Sequence, residues 1–386
     1  MTDGNVVNGT VEAGFDSVRE EFAAAAASEG VGGLSAQLVA YHHGRPVVDL
    51  WCGPEVTGDS LLGIYSAGKG AAHLVVATLV QDGVLDLDQR VCHYWPEFAV
   101  HGKDDLSLRE LMSHRSGLVG ADGGFTVAQL ADDHVVAQRL GAQRPYWRPG
   151  STFGYHALVI AALTGEVVRR ATGKTIGEHF TERIRVPHGV DLYFGLPEDK
   201  EHLFLSAEPP VQTPERLAAA TAALTPPNSI NGIAFNRNHP DNPPVWQLPN
   251  IAVVRRMGPA SFGAVASARG LARMYAVAIG AVCGAAPLLT PDTAATFGQI
   301  QSTGHDMVLR QHKSFAVGFH ATSEVYPVLA QGAFGHSGAG GQQAFADPRN
   351  GLAYAYSRRR TPHPAAPAPE NDRIIARLVQ SAQRFD

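Results

Sequence analysis

A serine and a lysine stand three residues apart in Tyr65-Ser66-Ala67-Gly68-Lys69, where an apparent strand runs into an apparent helix. Residues three apart on a helix share a face, so this spacing brings the Lys69 ammonium within reach of the Ser66 hydroxyl. Residues 59–65 before it read as a short strand, and residues 71–80 after it read as a buried Ala- and Val-rich helix. In that frame Ser66 caps the helix. A helix start offers unpaired N–H groups and positive partial charge, which favour a developing oxyanion and disfavour a protonated lysine. Lys69 is therefore expected to give up its proton unusually easily. The same spacing also suits a capping serine followed by an exposed lysine, so the pair needs further partners before it implies chemistry.

The same residues invite a different class of function. Gly63-Ile64-Tyr65-Ser66-Ala67-Gly68-Lys69-Gly70 nearly matches the phosphate-binding pattern GxxxxGK[ST] between a strand and a helix. Gly70 stands where Ser or Thr would ligate Mg²⁺, and no apolar strand ending in Asp follows at a suitable distance. Nucleotide binding is the poorer reading. A net charge of -5 over 386 residues leaves no basic face for nucleic acid and no polybasic stretch for anionic lipid. No run of about 18 apolar residues offers a membrane span. The polar, acidic start Met1-Thr2-Asp3-Gly4-Asn5 lacks a secretory pattern, so a cytoplasmic location is expected. Cys52, Cys92 and Cys283 are scattered without CxxC spacing, and the 17 histidines are dispersed, so no disulfide framework, metal or cofactor is expected.

The order of elements predicts an α/β (α+β) fold. Residues 16–27 read as an amphipathic helix, and residues 34–41 and 46–51 as two strands joined by a tight turn. Helical periodicity then dominates, over 106–114, 127–140 and 156–170. Prolines and asparagines cluster between residues 225 and 250, which reads as a long loop without periodicity of its own. A helix over 266–281 precedes strands at 314–321, 328–337, 342–346 and 352–357, and residues 372–385 close the chain as a helix. This places residues 1–85 with 250–386 in one α/β domain, where terminal helices flank an antiparallel sheet, and residues 86–249 in a mostly helical second domain.

Two further segments bear on Ser66. Pro149-Gly150-Ser151-Thr152-Phe153-Gly154-Tyr155-His156 sets Tyr155 at a loop-to-helix junction. A phenol titrates near pH ~10 in water and serves as a base at neutral pH only if a cation such as Lys69 stabilises the phenolate. An interfacial tyrosine at the start of a buried helix is the plainer alternative. Phe334-Gly335-His336-Ser337-Gly338-Ala339-Gly340-Gly341 lies among the C-terminal strands, and its glycines let a backbone or a ligand come close. Such a strand can offer the Ala339 N–H to a carbonyl oxygen and complete an oxyanion hole with the N–H of Ser66. A Gly-rich hairpin turn would look the same.

Together the three segments resemble the serine β-lactamase and penicillin-binding-protein superfamily, whose pattern is SxxK, then Tyr-x-Asn, then a Lys- or His-headed triad ending in Gly. The resemblance extends over Leu85-Asp86-Leu87-Asp88, residues 108–118, Pro149-Gly150 and Gly165-Glu166, and so covers most of the chain. It implies a β-lactamase/transpeptidase-like fold with the site in the cleft between the two domains. Ser66 would be the acylated nucleophile, Lys69 its hydrogen-bonded activator, and Tyr155 the base. His336, Ser337 and Gly338 would line the substrate, and the His114-Arg115-Ser116-Gly117-Leu118 stretch would be scaffold.

Two departures narrow the substrate. Ala157 stands where the pattern has Asn and cannot hydrogen-bond an amide side chain. His336 replaces lysine and, mostly neutral at pH 7, pulls weakly on a substrate carboxylate. Both favour the esterase branch, the family VIII carboxylesterases, which resemble class C β-lactamases but cleave neutral esters. The expected partner is a small-molecule ester, with the chain a monomer or homodimer. Acyl transfer to alcohols is open if the cleft excludes water, with Trp147, Phe153 and Phe262 as expected walls. A β-lactamase or D-Ala-D-Ala peptidase is the alternative, and a non-catalytic scaffold a third. Gly335-His336-Ser337-Gly338-Ala339 lacks the final glycine of a GxSxG elbow, which argues against an α/β-hydrolase triad on Ser337.

Overall fold

The computed structural model describes residues 6–30, 33–363 and 365–385. Twelve strands are named along the described chain: β1 (Asn8–Val11), β2 (Ala36–His42), β3 (Arg45–Cys52), β4 (Leu62–Gly63), β5 (Leu192–Tyr193), β6 (Val265–Ala266), β7 (Ser302–His305), β8 (His312–Phe315), β9 (His320–Ala321), β10 (Phe334–Ser337), β11 (Gln343–Asp347) and β12 (Leu352–Arg358). Nine form one antiparallel sheet in the order β1-β3-β2-β12-β11-β10-β9-β8-β7. The β2–β3 turn has φ of 46° at His43 and 76° at Gly44, the doubly left-handed pair that matches strand twist in a two-residue hairpin.

The central strands are covered on both faces, and their side chains sort by size. Leu352, Tyr354 and Tyr356 of β12 face one apolar cluster with Ala36, Leu38 and Ala40 of β2. That cluster is closed by helices α1 (Asp16–Ser28) and, further along the chain, Glu370–Ala382. Ile374, Ile375, Leu378, Val379 and Ala382 make the buried stripe of the latter, at the spacing of a helix laid on a sheet. Ala353 and Ala355 point the other way, with Val39 and Tyr41, toward helices α2 (Lys69–Gln81) and Ala268–Ile279. Small side chains on that face of β12 let a helix pack close. α2 is buried all round except at its last two residues, Val80 and Gln81, which accounts for its uniform Ala/Val/Leu sequence.

Beside α2 stands the helical region, built on α3 (Asp133–Ala142) and α4 (Ile160–Thr172), with α5 (Ala268–Ile279) and α6 (Glu370–Ala382) following in the chain. A three-stranded sheet, β4-β6-β5, ties the segment before Ser66 to residues around 192 and 265.

Several boundaries differ from expectation for local reasons. The strand before Ser66 shrinks to two residues, and 127–140 splits because the Asp132 carboxylate caps a new helix by accepting the His134 and Val135 N–H groups. The expected helix over 156–170 starts only at Ile160, since Tyr155 and His156 are held in an irregular turn. Residues 328–337 yield a strand only from Phe334. The Pro-rich stretch holds a helix at Ile230–Ala234 and a 3₁₀ segment at Val245–Asn250, and an exposed helix, Pro214–Ala223, precedes it. β1 was also unexpected; four residues carry too little alternation to be read.

Candidate active site

Ser66 sits on a 3₁₀ turn, Tyr65–Gly68, that feeds directly into α2. Tyr65 enters the turn at φ 48°, a left-handed conformation strained for a tyrosine. It is held there by burial and by its hydroxyl, which donates to the Trp246 carbonyl at 3.0 Å. Contrary to the sequence expectation, Ser66 does not cap the helix: Gly68 occupies the cap position with no side-chain cap bond. The Ser66 Oγ is engaged instead by Lys69.

Lys69 Nζ lies 2.9 Å from Ser66 Oγ, 2.7 Å from the Ala157 carbonyl and 2.6 Å from the Ser261 carbonyl. Two carbonyls can only accept. A neutral amine has two N–H donors for them and one lone pair left for the Ser66 O–H; an ammonium would donate to all three. Burial decides between these forms, because Lys69 is fully buried and desolvation pushes its pKa well below the usual lysine value, with only Asp133 opposing. Ser66 itself is half-buried, while its amine partner Lys69 is fully buried.

Tyr155 is placed by a dedicated frame. Its N–H donates to Asp306 Oδ2 at 3.0 Å, and Asp306 Oδ1 accepts from Val308 and Leu309 at 2.8 Å each. Its ring stacks on Phe315 with centroids 5.9 Å apart, and Lys69 Nζ lies 5.1 Å from its centroid. Burial raises the phenol's pKa, only partly offset by its contact with the Ser66 hydroxyl. The stretch expected to be scaffold holds this loop: His156 Nδ1 donates to the Gly154 carbonyl at 2.7 Å, which leaves Nε2 to accept from Ser116 at 2.6 Å. His114 Nδ1 accepts the His156 N–H at 3.1 Å.

β10 flanks the Ser66 turn on the other side. A Cβ at Gly338 would lie 2.6 Å from the Ile64 carbonyl, and one at Gly340 would lie 2.4 Å from the Tyr65 ring. The glycines thus admit the chain's own Ile64–Ser66 turn. Ala339 and Ser337 are half-buried beside it, and no backbone partner takes the Ala339 N–H among the described residues. His336 differs from expectation. It is fully buried, with Nδ1 donating to the Ser337 carbonyl at 2.8 Å and Nε2 enclosed without a hydrogen bond among the described residues. Burial and the neighbouring His320 and Lys69 hold it neutral. His320, which no motif singled out, lies tilted against it with ring centroids 4.0 Å apart and is the imidazole that keeps some exposed surface.

Phe153 and Trp147 stand around the Tyr155 loop, Phe153 against Phe315 and Trp147 edge-on to His156. Phe262 is 2% exposed and belongs to the core behind Lys69, where its neighbour Ser261 supplies a carbonyl; it is not a cleft wall here. Ala157, noted for the side chain it lacks, contributes its carbonyl. Ser261, Asp306 and His320 escaped the sequence reading because two act near or through backbone and one through strand pairing. Among the described residues no group of His, Cys, Asp or Glu is arranged to hold a metal, and no helix is long and apolar enough to cross a membrane.

The family model described as Beta-lactamase matches residues 18–378. The esterase/beta-lactamase LipL of Mycobacterium tuberculosis is 31% identical over 383 residues, spanning 92% of this chain and 84% of that protein. The solved structure of EstA from Arthrobacter nitroguajacolicus Rue61a superposes with a TM-score of 0.90 at 37% identity, over 97% of this chain and 98% of that one. A family VIII carboxylesterase structure superposes with a TM-score of 0.82 at 28% identity, over 98% and 99%.

Proposed function

The chain belongs to the beta-lactamase family, and from that premise we propose that it is a serine carboxylesterase that cleaves short-chain neutral esters through an acyl-Ser66 intermediate. One observation carries the reading: a fully buried Lys69 amine, satisfied by two carbonyls, whose remaining valence points at the Ser66 hydroxyl 2.9 Å away. The similarity to proteins described as esterases supports the ester bond as target.

In this account Lys69, not Tyr155, takes the Ser66 proton. The same burial that disfavours an ammonium also disfavours a phenolate, so the free enzyme holds a neutral amine and a protonated phenol. Ser66 Oγ bonds to the ester carbon as its proton passes to Lys69 Nζ. The oxyanion rests on the N–H groups of Ser66 and Ala339. Collapse breaks the C–O bond to the alcohol, the Tyr155 phenol protonates the departing oxygen, and the Lys69 ammonium restores the phenol. Water then gives its proton to the same amine and attacks the acyl carbon, and Ser66 Oγ leaves with the proton returned. An alcohol in place of water gives acyl transfer, which the aromatic surround of Phe153 and Trp147 favours.

The neutral imidazoles His336 and His320 offer no fixed positive charge to a carboxylate, which argues for neutral substrates over penicillin-like ones. The test is hydrolysis of p-nitrophenyl acetate, butyrate and octanoate by the wild type and Ser66→Ala, with nitrocefin alongside. Short-chain turnover lost in Ser66→Ala, with nitrocefin little cleaved, is expected. Nitrocefin cleaved faster than the esters would shift the reading to a lactam hydrolase.

A further inference from the structure

Asp133 opens α3, outside every motif that pointed to the site, yet hydrogen bonds lead from it to the amine of Lys69. Its Oδ2 accepts the Ala260 N–H at 2.9 Å. The next residue, Ser261, is fixed at two more points: its Oγ accepts the Ala161 N–H at 2.9 Å, and its carbonyl accepts Lys69 Nζ at 2.6 Å. Asp133 therefore holds in place one of the two carbonyls between which the amine sits.

The other oxygen, Oδ1, is buried and has no hydrogen-bond partner among the described residues. A carboxylate left bare in this way is costly unless a charge elsewhere compensates it. The groups around it do not supply one. Asp132 beside it is acidic, and Glu166 on α4 is already taken by Arg169, Arg170 and His134. A cavity of about 240 Å³ lined by Asp133, His134, Glu166, Arg169 and Ala260 leads outward past the half-exposed His134. Asp133 and Lys69 feel each other's charge, and burial brings the Asp133 carboxyl up to about 7.

We infer that Asp133 is a positioning residue for Lys69: its carboxylate pins the Ala260–Ser261 turn that receives the amine, and its charge acts on the protonation of that amine. Ionised Asp133 raises the amine's affinity for a proton and neutral Asp133 lowers it, while burial keeps the amine below the usual lysine value in either case. The two groups titrate as a pair, and the cavity gives the carboxyl its route to solvent. The histidines that also face Lys69, His73, His114, His320 and His336, are held neutral by burial and do not supply the negative charge.

This inference rests on the esterase reading and is tested with two variants on p-nitrophenyl butyrate. Asp133→Asn keeps an acceptor for the Ala260 N–H and removes the charge. Its plateau kcat should stay within about threefold of wild type, while the acid limb of kcat/KM moves down by roughly one pH unit, the size of one partly screened nearby charge. Asp133→Ala also loses the acceptor, so its plateau kcat should fall about tenfold with KM little changed. Thermal melts of both variants separate these effects from unfolding. An acid limb unmoved in Asp133→Asn, or a plateau unchanged in folded Asp133→Ala, would overturn the inference. If the wild type turns over no ester, the same pH dependence is read from fluorophosphonate labelling of Ser66; wild-type labelling independent of pH would overturn it, and activity surviving in Ser66→Ala would remove the esterase reading itself.

Discussion

Lys69 Nζ and Ser66 Oγ lie 2.9 Å apart, and the amine's other two contacts, at 2.7 and 2.6 Å, are carbonyl oxygens that can only accept. Those contacts suit a neutral amine that accepts the Ser66 O–H, and burial, which pushes Lys69 well below the usual lysine value, favours that form over an ammonium. Lys69→Arg tests it, since a guanidinium stays protonated throughout the working range. Ester turnover should fall by at least about 10³-fold, between the usual contribution of one proton-transfer group and loss of the whole trio. Retention of more than a tenth of wild-type kcat in a folded Lys69→Arg would refute the assignment.

Tyr155→Phe removes one oxygen and keeps the ring that stacks on Phe315. The melting temperature should change little, while kcat drops about 10²- to 10⁴-fold, the range for an acid–base group. Steady-state kinetics on p-nitrophenyl butyrate with a thermal melt would check this; a loss in KM alone would demote Tyr155 to substrate contact.

Gly338→Ala places a methyl 2.6 Å from the Ile64 carbonyl, which cannot withdraw without moving the Ser66 turn. A drop in kcat of about tenfold or more is expected, since small misplacements of reacting groups are costly. A crystal structure of the variant should show residues 64–66 displaced; an unmoved turn with full activity would count against the packing argument.

Stability should fall in mild acid, and the histidines set the window. His73 and His320 are pushed down to about 3 and His156 to about 4, all by burial first, and His114 and His336 lie well below the usual value. The unfolded chain takes up protons near pH 6.5 where the folded one does not, so stability is full above about 6.5 and declines toward pH 4. Each such histidine contributes on the order of 2 kcal/mol or more at the bottom of that window. Glu166 adds to the loss further down: burial pushes its carboxyl up, but Arg169, Arg170 and His134 outweigh it and hold it at about 2, so its contribution fades below about 4.5. Thermal melts from pH 8 to 4.5 should show a steady decline beginning near 6.5, and a flat profile would contradict the neutral-histidine picture.

How much of this was legible depended on where the information sits. The Ser66–Lys69 meeting follows from helical spacing, the β2–β3 hairpin from alternation, and α6 from a stripe at 374, 375, 378, 379 and 382. The groups that tune the lysine were hidden. Ala157 and Ser261 act through backbone carbonyls, which any residue carries, and Asp133 acts through Ala260, far away in sequence. His320 reaches His336 only because β9 pairs with β10. Ser66 reads as a helix cap in the sequence because a capping serine and a serine held by a following lysine look alike in one dimension. β4, β5 and β6 are two residues each, below the length at which alternation means anything.

The central claim is that Ser66 carries the acyl group, and the most direct measurement is intact-protein and peptide mass spectrometry after brief reaction with p-nitrophenyl butyrate and acid quench. The account predicts a butyryl adduct on the peptide containing Ser66 in the wild type and none in Ser66→Ala. An adduct on another residue, or ester turnover persisting in Ser66→Ala, would contradict it.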